Sequence, residues 1–145
     1  MTVREKHFSK NERGTAMKNE VMKVFNAYTE ALSKGNVEAV FETMSDNIVW
    51  HMGGEGPLSG IVKGKRALEE HLGEFIKRSN GTFRVITNWA ASNDCFVAAS
   101  VVSLAEKEGE KLNDPGIDLF RIEDGKIQEV WTFAEQQDEE DKFWE

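Results

Sequence analysis

The chain has 145 residues, 18 Lys and Arg against 26 Asp and Glu, and a formal net charge of -8. That length makes one domain with enough chain to bury a core, and a hydrophobic fraction of 39% with nine Phe and four Trp sets it apart from disordered sequences. The acidic balance excludes nucleic acid and anionic membranes as natural partners, since both are held by clustered Lys and Arg, and no apolar stretch is long enough to span a bilayer.

Residues 1–16 are charged and lack the apolar segment of a secretory signal. They are expected to form a disordered tail, with the domain over residues 17–145, Met17 a candidate start and a cytoplasmic location. Val21, Val24, Phe25, Tyr28 and Leu32 then recur at helical spacing. Gly35 suits the end of that helix. Asn36 caps a second, shorter helix with the stripe Val37, Val40, Phe41 and Met44. Ser45-Asp46-Asn47 reads as a turn and Ile48-Val49-Trp50-His51 as a short strand. The glycines of residues 53–64, with Pro57, predict an irregular loop with no helix and no central strand. Their spacing is not that of a phosphate-binding loop. A third helix presents Leu68, His71, Leu72, Phe75 and Ile76 on one face.

Beyond Gly81 the pattern changes to strands, predicted over 82–91, 95–105, 116–122 and 126–134. In the first, Phe83, Val85 and Thr87 share a face. Glu123-Asp124-Gly125 fits a tight hairpin. Residues 136–145 are predicted as a short helix with Phe143-Trp144 docked on the body and Asp138 as its candidate cap. The order is helix, helix, strand, helix, then four antiparallel strands. It predicts an α+β domain in which a curved antiparallel sheet wraps around helices and leaves a conical pocket.

Three polar side chains lie in strongly apolar elements. Tyr28 sits on the apolar face of the first helix, His51 ends the run from Asn47, and Asp118 interrupts Ile117-Asp118-Leu119-Phe120-Arg121-Ile122. Burying a hydroxyl, an imidazole and a carboxylate is unfavourable unless each finds a partner. Facing one cavity, they supply a donor, a base and an acid. Each also has a plain structural reading: a core tyrosine bonded to a carbonyl or to water, a half-exposed strand-end histidine, and a carboxylate paired with Arg121, Lys126 or Arg84. His71 reads as a packed histidine. Three His without tight spacing give no metal signature. The single Cys95, in an apolar run, reads as a buried inert thiol.

Several segments form an ordered set: Phe25-Asn26-Ala27-Tyr28-Thr29-Glu30-Ala31-Leu32 with Gly35-Asn36; Trp50-His51 with Gly54, Leu58-Ser59-Gly60 and Lys63-Gly64; Ile117 to Ile122 with Asp124-Gly125-Lys126-Ile127; and Asp138 through Asp141 to Phe143-Trp144. From about Val21 to Trp144 this set resembles the SnoaL-like and ketosteroid isomerase-like group of the nuclear transport factor 2-like superfamily. The resemblance implies a cystatin-like α+β barrel and a homodimer formed through the outer face of the sheet. It places Tyr28 where ketosteroid isomerases carry their oxyanion-hole tyrosine. It places Asp118 where they carry an acid kept neutral to donate a second hydrogen bond. His51 falls where they carry an aspartate base, a departure from that pattern. Phe25, Trp50, Phe75, Trp89, Phe120 and Trp131 are the expected ligand-binding walls.

Three functions follow. The first is an isomerase- or cyclase-type enzyme, using neither cofactor nor metal, that acts on a small apolar carbonyl compound. His51 removes the proton while Tyr28 and Asp118 steady the enolate oxygen. A variant resembling the polyketide cyclases makes Asp118 the acid/base, with His51 orienting the substrate. The second is a non-catalytic binder of an apolar metabolite. The third is a structural or regulatory homodimer. Geometry separates them: convergence on an empty pocket supports the first two, and Asp118 paired to Arg121 in a filled core supports the third.

Overall fold

The computed structural model describes residues 10–145. Residues 1–9 of the expected tail lie outside the described residues, whereas residues 10–16 belong to the first helix, α1, Lys10–Ser33. The buried stripe of this helix begins at Val21, well inside it. Extending a helix adds one hydrogen bond per residue fixed and is far easier than nucleating one.

Val21, Phe25, Tyr28 and Ala31 form the buried stripe of α1. Gly35, at φ +65°, reverses the chain, and Asn36 donates no cap hydrogen but accepts one: its Oδ1 takes the Ala39 N–H at 3.1 Å to start α2, Val37–Glu42. The strand β1 spans Met44–Met52 and absorbs the predicted turn at 45–47 as an irregularity in register between Met44 and Val49. The glycine-rich segment ends in a short edge strand, β2, Gly60–Lys63, which precedes α3, Lys65–Arg78. Four strands follow: β3 Arg84–Ser92, β4 Phe96–Lys107, β5 Glu110–Glu123 and β6 Lys126–Ala134. The chain then forms α4, Gln137–Phe143.

One six-stranded sheet has the order β2-β1-β6-β5-β4-β3. It is antiparallel apart from the β1–β6 pair, which is parallel, and its two edges do not meet. The architecture is therefore the expected α+β one, with a curved sheet that does not close.

The strand β5 begins six residues before the predicted start at Gly116, because Pro115 and Gly116 masked it. The Pro115 carbonyl accepts from Glu135 N at 2.8 Å, past the last β5–β6 pair, Gly116–Ala134. The donor that proline lacks therefore faces a strand that has ended, so the ladder loses nothing. The hairpin tips carry Glu108-Gly109 and Asp124-Gly125, all at positive φ, as two-residue turns of this kind demand.

The concave face of the sheet packs on α1, with Ile48, Val97, Ala99, Phe120, Ile122, Ile127 and Val130 in the main core. A second cluster of Leu58, Phe75, Ala105, Leu112, Phe143 and Trp144 lies under α3 and α4. Period-two alternation along β5 sends Leu112, Asp114, Gly116, Asp118 and Phe120 to the concave face.

Candidate functional site

Between the two clusters lies a cavity of about 150 Å³, comparable to space that holds one aromatic ring. Its walls come from α1, α2, β1, the glycine-rich loop, α3, the concave face of β3 to β6, and α4. Most of the lining is apolar. Its titratable groups are Tyr28, Asp114, Asp118, Glu140 and Asp141.

Tyr28 projects from the buried stripe of α1 and packs against Phe120 at 5.3 Å between ring centroids. Burial, and then the negative field of Asp118, raise its pKa, so the hydroxyl stays protonated. Burial alone raises Asp118 from 3.8 to about 7. Neither group has a hydrogen-bond partner among the described residues. The cations that offered Asp118 a plain structural role are engaged elsewhere or exposed. Arg121 bonds Glu123 at 3.2 Å and Glu129 at 3.4 Å, Lys126 bonds the Glu42 carbonyl, and Arg84 is at the surface. Trp50 lines the same cavity, and its buried Nε1 also lacks a partner.

His51 does not join them. Ile48 and Trp50 face the core, so the alternation of β1 sends His51 to the convex face. There its ring stacks on Trp131, 5.2 Å between centroids and 4° from parallel, and its Nε2 lies 2.6 Å from Glu129 Oε2. That hydrogen bond is the main reason the Glu129 pKa is lowered. The expectation that the imidazole shares the pocket with Tyr28 and Asp118 is thereby corrected.

Of the six expected wall residues, Trp50 and Phe75 line the cavity. Phe25 and Phe120 lie in the core, edge to face at 5.2 Å. Trp131 and Trp89 are on the convex face. For Trp89 the reason is a bulge between Thr87 and Trp89, which reverses the alternation set by Val85 and leaves the indole 58% exposed. The expectation of a packed histidine holds for His71, whereas Cys95 lies half-buried in the turn before β4 rather than buried in the strand. His71 Nε2 lies 2.8 Å from the Leu58 carbonyl. Burial raises the pKa of Cys95, so its thiol is a poor nucleophile.

Sequence reasoning missed the far end of the cavity. Asp114 is 2% exposed, and its Oδ1 accepts from Gln136 N at 2.9 Å, capping α4 from the neighbouring strand where Asp138 was expected to act. Glu140 lies beside Asp114 and Trp144. Burial first, and then the Asp114 carboxyl, raise it to about 8. The helix α4 is held over the cavity by Asp141, whose Oδ2 accepts from Glu55 N at 2.8 Å, and by Arg78, which donates to the Trp144 carbonyl at 2.7 Å. Among the described residues, no cluster of three or more His, Cys, Asp or Glu is placed to hold a metal ion. Nor is any helix among them long and apolar enough to cross a membrane.

A sequence profile of the SnoaL-like domain matches residues 25–130. The chain belongs to the SnoaL-like family. A protein of unknown function with a cystatin-like fold from Xanthomonas campestris is 31% identical, over 86% of this chain and 97% of that one, with a TM-score of 0.81. Bal32a, from a soil-derived mobile gene cassette, superposes with a TM-score of 0.84 at 20% identity, over 89% of this chain and 99% of that one. A proposed polyketide cyclase from Xanthomonas campestris pv. campestris superposes at 0.66 with 20% identity, over 89% of this chain and 99% of that one. No curated protein matches the sequence.

Proposed function

We propose that the chain is a SnoaL-like enzyme of the isomerase or cyclase type, in which Asp118 moves a proton next to the carbonyl of a small apolar substrate without a cofactor. One observation carries this reading: an unpaired carboxyl, with its pKa near neutrality, opens into an apolar cavity beside a protonated tyrosine. A base works best when its pKa lies near the working pH. The Asp118 carboxylate takes the proton from carbon and returns it at another position. The Tyr28 hydroxyl and the Trp50 indole N–H donate to the oxygen that gains charge, in a cavity where such bonds are strong. This is the cyclase-like variant of the sequence reading without His51 as an orienting group.

Phenylacetone, a one-ring enolisable ketone, tests the proposal. The protein is expected to accelerate exchange of its α-hydrogens in D2O, read by NMR, and Asp118→Asn is expected to abolish the acceleration. Full exchange activity in Asp118→Asn overturns the mechanism. Binding of the ketone without exchange supports the reading as a metabolite binder instead.

The convex face supports a homodimer as a second part of the proposal. Trp89, Phe133 and Ile86 are 58%, 56% and 45% exposed there, and exposed large apolar side chains gathered on one face suit association. Trp89→Lys together with Phe133→Lys is expected to shift a dimer to monomer by light scattering. A wild type that is monomeric at high concentration removes this part.

A further inference from the structure

We propose that α4 is a lid on the cavity and that one proton shared by Asp114 and Glu140 holds it down, so that loss of this proton as pH rises loosens the helix and opens the cavity. The inference rests on the reading of the cavity as the ligand site, and it adds control of access to that site.

A helix of seven residues is too short to persist on its own, so α4 is kept in place by what it touches. Gln137, Glu140, Asp141 and Trp144 form its side of the cavity. Its start is tied to β5, where Asp114 Oδ1 accepts from Gln136 N at 2.9 Å. Asp141 ties it to the glycine-rich loop: Oδ1 accepts from Gln137 Nε2 and Oδ2 from Glu55 N, each at 2.8 Å. Glu140 supplies the remaining tie. The Trp144 indole N–H donates to its carboxyl, and the protonated carboxyl donates to Asp114. One side chain thereby satisfies two buried atoms, Asp114 Oδ2 and Trp144 Nε1, that have no other partner among the described residues.

Two carboxyls in contact at a buried position hold one proton between them, because two charges there repel and are poorly solvated. The surroundings add no counter-charge. From β5, Asp118 contributes a further negative field. Arg78 of α3 is engaged by Glu74 and by the Trp144 carbonyl, and Lys107 of β4 by the Glu145 carbonyl and the Phe143 ring. The wall from β6 is Thr132, Phe133 and Ala134, and that from the loop is Gly53, Gly56, Leu58 and Ser59. Burial first, and then Asp114, raise Glu140 from 4.5 to about 8. With the helix lifted, the carboxyl meets water and returns to its ordinary range. The closed state therefore keeps a proton that the open state releases. Closure is firmest below about 4.5, weakens as pH rises through the window to about 8, and levels off above it.

Hydrogen exchange on the full chain at pH 6 and pH 8, corrected for the intrinsic rate, reads the lid without any ligand. The Glu140 and Trp144 amides, bonded to the Gln136 and Glu140 carbonyls at 3.0 and 3.2 Å, report α4, and the Phe120 amide of β5 reports the whole fold. Relative to Phe120, protection of α4 is expected to fall about tenfold from pH 6 to pH 8, less than the full linkage because Glu140 is partly exposed. Glu140→Gln keeps both hydrogen bonds with a neutral amide and is expected to hold that protection constant. Constant protection in the wild type overturns the latch, whatever the cavity binds. An equal fall in Glu140→Gln overturns the assignment to this pair. Dissociation of phenylacetone, read by NMR line shape, is expected to quicken over the same interval in the wild type and not in Glu140→Gln. A rate that stays level while α4 loosens overturns α4 as the lid. Phenylacetone that binds at neither pH overturns the ligand reading instead, a failure distinct from constant exchange.

Discussion

Asp118→Asn should make the protein more stable at high pH while removing its proposed acid/base group. The folded carboxyl has its pKa raised from 3.8 to about 7 by burial. Between those values the unfolded chain releases a proton that the folded chain keeps, so stability falls as pH rises through this window and levels off above about 7. At about 1.4 kcal/mol per pH unit, the full interval corresponds to about 4 kcal/mol. The carboxyl opens to the cavity rather than to solid core, and relaxation there reduces the cost, so a range of about 2 to 4 kcal/mol is expected. Asparagine keeps the shape and cannot ionise. Urea denaturation of both proteins at pH 4 and pH 8 checks the point. The variant should gain this amount relative to wild type on going from pH 4 to pH 8, about 6 to 12 °C in Tm for a chain of this size. Glu140 titrates in an overlapping range, but it is present in both proteins and drops out of the comparison. A stability difference that is constant across this range would refute the claim that burial sets the Asp118 pKa.

Tyr28→Phe removes one donor from the cavity without leaving a protein acceptor unpaired. It should lower exchange of phenylacetone about 100-fold and change urea stability by less than about 0.5 kcal/mol. His51→Ala loses the Trp131 stack and the 2.6 Å contact with Glu129 on the convex face. It should cost about 1 kcal/mol in urea denaturation, since both partners are partly solvated, and leave exchange within twofold of wild type. Gly54→Ala places a Cβ at φ +92° into the side chains of Gln137 and Asp141. It should cost about 2 kcal/mol and weaken ligand binding by loosening α4, both measurable by denaturation and calorimetry.

The elements of the fold were legible because their signals are local. Tyr28 lies within a stripe whose 3.6-residue period leaves one possible buried face. Asp118 was legible for the opposite reason: a carboxylate among Ile117, Leu119 and Phe120 breaks the pattern of its strand. The phase of a strand is harder to read than its existence. In β1 both alternating sets are apolar, Ile48 and Trp50 on one side and Val49 beside His51 on the other. Nothing local says which set meets the core, and a one-residue choice moves His51 from the cavity to the convex face. Trp89 failed differently. Counting by twos from Val85 puts it inside, and the bulge between Thr87 and Trp89 turns it out.

The far end of the cavity carried a signal that the acidic composition of the last ten residues obscured. Asp138-Glu139-Glu140-Asp141 reads as a solvated charge run. Yet Trp144 is a large apolar residue near the end of a short helix, and it must turn toward the body. Helical spacing then fixes which other residues turn with it: Asp141, Glu140 and Gln137, at three, four and seven residues before it. These are the α4 residues that line the cavity, whereas Asp138 and Glu139 face solvent. Two of the three carry carboxyls: Asp141 accepts from Glu55 N and Gln137 Nε2, and Glu140 lies against the buried Asp114. Burial and the Asp114 carboxyl raise the Glu140 pKa to about 8, so near neutrality Glu140 is protonated and meets Asp114 as a hydrogen-bond partner rather than as a second anion.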